Sequence, residues 1–318
     1  MAMPWWEILA IAALAVCLLS YLMAELLLWI AFYHTDGPRR KRDPKRMTPL
    51  GRRWTASILE AKEWLSTQPM ERVKITASQD GVSLTGWFLP AKEPSCRVAL
   101  CIHGYRGDGI STFGPFAAFY QRMGFHLLMP DNRAHGKSGG RYVGFGWADR
   151  LDCLDWAAYL IQRLGKEARI LLHGVSMGGA TVLNAAGESP PPQVRAVVAD
   201  CGYSSAWEEL VYQLKRQYHL PPFPVMYLAS LLYRRRMGSR FRDNSPIHQL
   251  QKATIPILFI HGAEDDYVPV RMAREMFEAY QGEKELFLVP GAYHATSHLQ
   301  SPEAYEAKVA AFLERIGF

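Results

Sequence analysis

The apolar positions of this chain follow two different patterns. Residues 4–33 are almost wholly apolar, and residues 8–24 carry no charge. Further along, short continuous apolar runs alternate with longer amphipathic stretches. An apolar run of about twenty residues is long enough to cross a bilayer as a helix. Short apolar runs between amphipathic segments are typical of buried strands and of the helices that cover them.

The later pattern predicts eight strands, of which the first two (71–77 and 83–89) flank the hairpin signal Gln79-Asp80-Gly81. Six more strands are predicted at 97–102, 126–130, 169–172, 194–199, 256–260 and 285–289. Helices are predicted at 113–123, 148–164, 177–186, 270–280 and 302–316. This alternation predicts an α/β fold, a doubly wound and mostly parallel eight-stranded sheet. In such sheets, ligands bind beyond the carboxyl ends of the strands.

One segment interrupts the alternation. Residues 203–250 separate two strands by far more chain than a crossover needs, and they hold two helix-like stretches at 206–218 and 224–236. Pro221-Pro222-Phe223-Pro224 divides the two stretches. We interpret residues 203–250 as a helical cap over the site; a structural excursion packed on the sheet explains the pattern equally well.

The first apolar segment predicts a single-pass transmembrane anchor over residues 1–33. Aromatic residues stand near both of its ends, where they favour the headgroup level: Trp5, Trp6, Trp29 and Tyr33. No Lys or Arg precedes it, so the positive-inside rule places the following domain on the cytoplasmic side of the cell membrane. A cleaved signal peptide fits poorly, because a basic n-region and a small-residue cleavage site are missing. The alternative is a helix buried against the domain or a dimer partner, and Glu25 is costly in lipid unless it is paired.

The positive charge of the 318-residue chain is local. Its net charge is +6, and residues 39–53, here called the basic collar, hold eight Lys or Arg and one acid, which leaves 28 bases and 29 acids elsewhere. This distribution argues against nucleic acid as a partner and favours contact with anionic lipid headgroups. We therefore expect a linker over residues 34–69, with a short amphipathic helix at 54–65, and a catalytic domain over residues 70–318.

The five cysteines predict neither a disulfide framework nor a zinc site. They are scattered and lack C-x-x-C spacing, so we interpret them as reduced core residues. No metal or organic cofactor is implied by any motif.

The sequence Gly174-Val175-Ser176-Met177-Gly178 fits the G-x-S-x-G pattern of a nucleophile elbow. An apolar strand precedes it and small, helix-compatible residues follow, which is the context that the motif requires. A strained strand-to-helix turn holds the serine clear of the sheet, and glycines two residues away allow strand and helix to approach closely. Ser176 is thus the predicted nucleophile.

A serine nucleophile needs a base and an acid that orients the base. Asp265 and His294 follow two successive predicted strands, so each lies at the same edge of the sheet. We favour Asp265 as the acid and His294 as the base. The rival acids are Glu264, Asp266 and Asp200, and the rival base is His298.

Two backbone amides are predicted to bind the oxyanion of a tetrahedral intermediate. Met177 follows the nucleophile at a helix N-terminus, where negative charge is favoured. Tyr105 lies in His103-Gly104-Tyr105-Arg106-Gly107, the oxyanion loop, which follows a core strand. The alternative for residues 103–107 is an ordinary glycine-rich loop.

Five ordered motifs within residues 70–318 resemble those of the α/β-hydrolase superfamily: residues 103–107, 131–138, 174–178, 261–269 and 291–294. The chain is similar to membrane-anchored serine hydrolases of the esterase, thioesterase and monoacylglycerol-lipase type. The resemblance implies Ser176, Asp265 and His294 as the triad. It also implies Tyr105 and Met177 as oxyanion donors. Ala134 departs from the pattern, because the family usually has glycine there.

We therefore expect a serine hydrolase that cleaves carboxylic esters or thioesters of small, lipid-like acyl substrates through an acyl-enzyme. An amidase or peptidase would use the same triad. An inactive, membrane-tethered scaffold is the alternative from a different class. A soluble enzyme whose first helix mediates dimerisation is a further one.

Overall fold

The computed structural model describes residues 3–33 and 47–318. The basic collar lies outside the described residues from 39 to 46, so the expectation that it contacts lipid headgroups has no structural counterpart here. Arg52 and Arg53, at its end, lie in a helix.

The sheet has eight strands in the order β1-β2-β4-β3-β5-β6-β7-β8. β2 pairs antiparallel with β1 and with β4, and all other neighbours are parallel. The predicted fold class, a mostly parallel eight-stranded α/β sheet, is confirmed. The strands are β1 (Glu71–Thr76), β2 (Ser83–Leu89), β3 (Arg97–Ile102), β4 (His126–Pro130), β5 (Arg169–Val175), β6 (Val194–Asp200), β7 (Ile257–Gly262) and β8 (Lys284–Val289).

Eleven helices lie within the described residues. Five of them follow strands as crossovers or cover the sheet, and three lie in the segment 203–250 between β6 and β7. They are α1 (Trp5–Phe32), α2 (Pro49–Ser66), α3 (Gly109–Arg122), α4 (Ala148–Leu164), α5 (Met177–Ala186), α6 (Ala206–Tyr218), α7 (Val225–Met237), α8 (Pro246–Gln249), α9 (Val270–Ala279), α10 (Ser297–Gln300) and α11 (Pro302–Arg315).

Both faces of the sheet are buried. Leu171 and Val198 point to the face that packs against α3 and α11, whereas Leu172 and Val197 point to the face that packs against α4. All four side chains are fully buried. A strand covered on both faces needs apolar residues at successive positions, which explains the continuous apolar runs of the sequence.

A third apolar cluster joins α1 to the segment 203–250. Ala24, Leu28 and Phe32 are buried, and their four-residue spacing places them on one side of the helix. Phe32 packs against the rings of Tyr233 and Phe241 at centroid distances of 5.0 and 5.2 Å. The last turns of α1 are therefore part of the packed domain, while most large apolar side chains before Ala24 are exposed.

Candidate active site

Ser176 is at the sharp turn between β5 and α5. Its backbone has φ 59° and ψ −119°, a conformation that costs free energy for a residue with a side chain. The flanking glycines have a direct steric cause. A Cβ on Gly174 would lie 2.1 Å from the carbonyl oxygen of Gly178, and a Cβ on Gly178 would lie 1.9 Å from that of Ile102. The turn therefore closes only with glycine at both positions.

Ser176, His294 and Asp265 form a continuous line of hydrogen bonds. The Oγ of Ser176 lies 2.8 Å from Nε2 of His294. The Nδ1 of His294 lies 2.8 Å from Oδ2 of Asp265. A carboxylate only accepts, so Nδ1 carries the hydrogen and Nε2 presents its lone pair to the serine hydroxyl. This tautomer is the one in which imidazole can take a proton from serine.

The carboxylate of Asp265 is buried and accepts four hydrogen bonds. The backbone N–H groups of Tyr267 and Val268 both donate to Oδ1 at 2.9 Å. His294 and His261 donate to Oδ2. Burial by itself would raise the pKa of Asp265, but the hydrogen bonds from the two histidines outweigh it and lower that pKa far below its usual value. Asp265 therefore stays ionised beside His294.

His261 is a further member of this network, to which we assigned no role from the sequence. Its Nε2 lies 2.9 Å from the carbonyl oxygen of Val268 and 3.2 Å from Oδ2 of Asp265. Both neighbours accept, so Nε2 carries the hydrogen. The available signal was its position at the end of β7, four residues before Asp265.

The rival residues lie elsewhere. Asp200 is buried and accepts from Oγ of Ser297 at 3.2 Å. Asp266 is paired with Arg216, and Glu264 is exposed. His298 lies in α10, with its ring 4.2 Å from that of Phe116 and Nε2 3.3 Å from Glu306. The structure brings only Asp265, of the four acids, into contact with His294 among the described residues.

The oxyanion loop runs directly beside the serine. A Cβ on Gly104 would lie 3.2 Å from Cβ of Ser176, a tight contact that a larger residue could make only if the loop or the serine shifted. The loop is fixed by two histidines: the backbone N–H of Asn132 donates to Nε2 of His103, and that of Arg106 donates to Nε2 of His135.

Ala134, the departure from the family pattern, has φ 56°. This left-handed conformation explains why glycine is usual at this position, since alanine pays a steric cost there. The residue is buried in the same apolar cluster as Met177. Alanine at this position therefore affects a loop next to the site and none of the three hydrogen-bonded residues Ser176, His294 and Asp265.

A mostly apolar cavity of about 210 Å³ opens at Ser176. Its wall includes both proposed oxyanion donors, Tyr105 and Met177. Residues of α6 and α7, and of the loop that precedes α9, complete this part of the wall. Residues 27, 28, 30, 31 and 32 of α1 also line it. An apolar cavity with a few converging polar groups is the usual form of a small-molecule site.

One group of potential metal ligands coincides with the site. Atoms of Cys201, Asp265 and His294 lie within 4.8 Å of one another. However, both carboxylate oxygens of Asp265 already accept hydrogen bonds, and burial raises the pKa of the Cys201 thiol well above its usual value. This donor set is suited to proton transfer rather than to metal binding.

Comparisons with known proteins agree with the fold. Residues 99–220 match a family model described as alpha/beta hydrolase fold. Residues 244–298 match a second family model, described as serine aminopeptidase, S33.

Three similar proteins illustrate the range of the match. YqkD of Bacillus subtilis is 28% identical over 252 residues, which cover 79% of this chain and 82% of YqkD. The esterase YjfP of Escherichia coli is 22% identical over 224 residues, covering 67% of this chain and 87% of YjfP. The structure of the Pyrococcus furiosus esterase Pf2001 superimposes with a TM-score of 0.65 at 23% identity, covering 88% of this chain and 99% of that one. The chain therefore has the α/β-hydrolase fold and is similar to proteins of that superfamily.

Proposed function

We propose that the protein is a serine hydrolase that cleaves carboxylic esters or thioesters through an acyl-enzyme. The observation that carries this proposal is the continuous hydrogen-bonded chain Ser176–His294–Asp265, whose serine lies in the wall of an apolar cavity. A binding module gains nothing from a strained serine whose hydroxyl faces an imidazole that a buried carboxylate orients.

Acylation follows from the geometry. The Oγ of Ser176 bonds to the acyl carbon while Nε2 of His294 takes the hydroxyl proton. The N–H groups of Tyr105 and Met177 hydrogen-bond the oxyanion that develops. His294 then returns the proton to the departing alcohol or thiol as the bond from the acyl carbon to its oxygen or sulfur breaks.

Deacylation repeats the sequence with water. His294 takes a proton from a water molecule, whose oxygen bonds to the acyl carbon, and then returns the proton to Oγ of Ser176 as the acid leaves. Asp265 stays ionised and stabilises the imidazolium at both stages. The residues themselves supply every proton transfer, so neither stage requires a metal or an organic cofactor.

The names of similar proteins support ester cleavage, since both YjfP and Pf2001 are described as esterases. The match of residues 244–298 to a serine aminopeptidase family favours a second candidate, hydrolysis of an amide bond by the same residues. Anilides are the matched substrates for this second candidate, because they differ from esters only in the leaving group.

The deciding experiment measures hydrolysis of p-nitrophenyl esters from acetate to palmitate, and of the matching p-nitroanilides. We expect turnover of the esters, with loss of at least about 10³-fold in Ser176→Ala. Ser66→Ala, an exposed serine at the end of α2, is the control and should be unaffected. Turnover of the anilides alone would favour the amidase. The absence of both serine-dependent turnover and fluorophosphonate labelling would favour the inactive scaffold.

We also propose that α1 anchors the enzyme in the cell membrane, with the catalytic domain on the cytoplasmic side. α1 is the one helix in residues 3–33 and 47–318 that is long and apolar enough to cross a membrane. The part before Ala24, residues 5–23, would extend over about 28 Å, close to the ~30 Å hydrocarbon core. Lipid would cover the large apolar side chains that are exposed there.

Two free cysteines make the anchor and its orientation testable. Cys17 is exposed on α1, and Cys96 is half-buried in the catalytic domain. An impermeant maleimide should modify neither residue in intact cells, and should modify Cys96 but not Cys17 once the inner face is opened. Peptide mapping after denaturation should then show Cys17 modified. Modification of Cys17 in undisturbed membranes would contradict a spanning helix, and modification of Cys96 in intact cells would contradict the orientation.

A further inference from the structure

The last turn of α1 is fastened to the catalytic machinery. The final carbonyl groups of a helix lack partners within the helix. Here the Tyr105 hydroxyl donates to the carbonyl oxygen of Ala31 at 2.6 Å, and the guanidinium of Arg106 donates to that of Ile30. The backbone N–H of Val143 donates to the carbonyl of Phe32 at 2.8 Å. Two of these three donors belong to the oxyanion loop.

An ion pair also holds α1, about two turns before its C-terminus. The Glu25 carboxylate accepts two hydrogen bonds from the guanidinium of Arg236 in α7, at 2.8 and 2.6 Å. Both side chains are only about a quarter exposed, and one guanidinium nitrogen, Nη2, donates to both carboxylate oxygens. This pair also removes the difficulty of a carboxylate in an apolar helix. α1 is therefore held at Glu25 and at its C-terminus.

Between these two attachments, α1 turns one of its faces to the cavity that holds Ser176. Leu27 and Ala31, which are four residues apart, contribute to this face, and both are half-buried against the third apolar cluster. Leu26, on the neighbouring face, is exposed and does not line the cavity. The wall that α1 presents to Ser176 is thus entirely hydrocarbon apart from its backbone.

We propose that Leu27 and Ala31 of α1 form the acyl-chain wall of the active site and determine which chain lengths the enzyme accepts. This inference rests on the proposed esterase function and adds the residues that select the substrate. The occupant is a hydrocarbon chain, because the α1 side chains that line the cavity are all apolar and Ser176 lines the same cavity. A larger side chain at Leu27 fills part of the cavity and so shortens the acyl chain that the enzyme accepts. A short acyl group that ends before Leu27 is less affected.

The test measures the rate of covalent labelling of the full-length protein in nanodiscs of diether phospholipid, which contain no ester bond. The probes are a methyl and a decyl fluorophosphonate, whose alkyl groups stand in for the acyl chain. The variants are Leu27→Trp, which fills part of the cavity, and Leu27→Ala, which widens the cavity. Leu26→Trp is the matched control, since it adds the same ring one residue away on an exposed face.

We expect Leu27→Trp to lower the ratio of decyl to methyl labelling rates by about tenfold or more relative to the unaltered protein, in line with the free energy of a few methylene groups. Leu27→Ala should leave the ratio the same or raise it, and Leu26→Trp should leave it within about twofold. A ratio that is the same in Leu27→Trp and Leu26→Trp would overturn the proposal for α1 while leaving the esterase function intact. If Leu27→Trp fails to fold, Leu27→Ala decides the question: an unchanged or raised ratio of decyl to methyl labelling is the expected result, and a lowered ratio would overturn the proposal. Absence of labelling at Ser176 in the unaltered protein would instead overturn the proposed function.

Discussion

The hydroxyl of Tyr105 donates a 2.6 Å hydrogen bond to the carbonyl oxygen of Ala31, and so joins the oxyanion loop to the first helix of the chain. Burial raises the pKa of this phenol to about 12, so the hydroxyl keeps its hydrogen at physiological pH. The backbone N–H of the same residue is the proposed oxyanion donor. One residue therefore connects α1 with the position at which charge develops during catalysis.

Tyr105→Phe removes this hydrogen bond and keeps the backbone N–H. We expect the free energy of unfolding to fall by about 1 kcal/mol, the usual value for one hydrogen bond, and kcat for a short ester to fall severalfold because the loop is held less firmly. Thermal unfolding and steady-state kinetics measure the two effects. Tyr227→Phe, on an exposed tyrosine of α7, is the control. An unchanged kcat in Tyr105→Phe would show that this hydrogen bond to α1 does not position the oxyanion loop.

His261 is a positioning residue for Asp265. His261→Leu removes a donor from the carboxylate, whereas His261→Gln can still donate from its amide nitrogen. We therefore expect kcat to fall by about tenfold or more in His261→Leu and to recover in part in His261→Gln, with KM for a short ester nearly the same in both. If the two variants lose activity equally, His261 acts through packing alone.

The buried carboxyl of Glu209 should make the folded protein less stable as the pH rises. It is 2% exposed, it accepts from Gln213 at 2.8 Å, and its Oε2 has no hydrogen-bond partner among the described residues. Burial raises its pKa to about 8. Because the pKa in the folded state exceeds that in the unfolded state, its contribution to stability is fully present below about pH 4.5. It is then lost as the pH rises toward about 8, by at most ~1.4 kcal/mol per pH unit.

Glu209→Gln removes this titration, so its melting temperature should fall less than that of the unaltered protein between about pH 5 and pH 9. Glu208→Gln, on the exposed neighbour in α6, should behave like the unaltered protein. Parallel pH profiles of Glu209→Gln and the unaltered protein would contradict the prediction.

We expect alanine to destabilise the fold far more at the elbow glycine Gly178 than at Gly238. The added Cβ of Gly178→Ala would meet the backbone of Ile102 at 1.9 Å, and backbone cannot move aside cheaply. Gly238→Ala meets nothing within 4 Å, but its φ of +75° is strained for alanine. We expect a loss above about 4 kcal/mol or no folded protein for Gly178→Ala, and about 1 kcal/mol for Gly238→Ala. Similar melting temperatures for the two variants would contradict this account of the motif.

Local patterns predicted the sheet and its covering helices well. The helices at 148–164, 177–186 and 206–218 were predicted with the bounds that the structure shows, because apolar periodicity and helix-stop residues agree there. α3 begins at Gly109 rather than at residue 113. Its first turn has no apolar period, and the turn forms because the Asp108 side chain accepts from the backbone N–H of Ser111 at 2.7 Å.

Long-range relationships could not be predicted from the sequence. Nothing near Glu25 indicates that its partner is Arg236, which lies 211 residues away. An apolar helix also has no pattern that distinguishes a lipid-covered side from a packed one, so the division of α1 at Ala24 was beyond sequence reasoning. The motif order did indicate that Ser176, Asp265 and His294 lie at one edge of the sheet. It favoured Asp265 over its acidic neighbours without excluding them.

The most direct measurement traps the acyl-enzyme. The protein is mixed with an excess of a p-nitrophenyl ester, quenched in acid during turnover, digested and mapped by mass spectrometry. The account predicts the mass of the acyl group on the peptide that contains Ser176, with no adduct and no turnover in Ser176→Ala. Turnover that persists in Ser176→Ala, or an acyl group on a different residue, would contradict it.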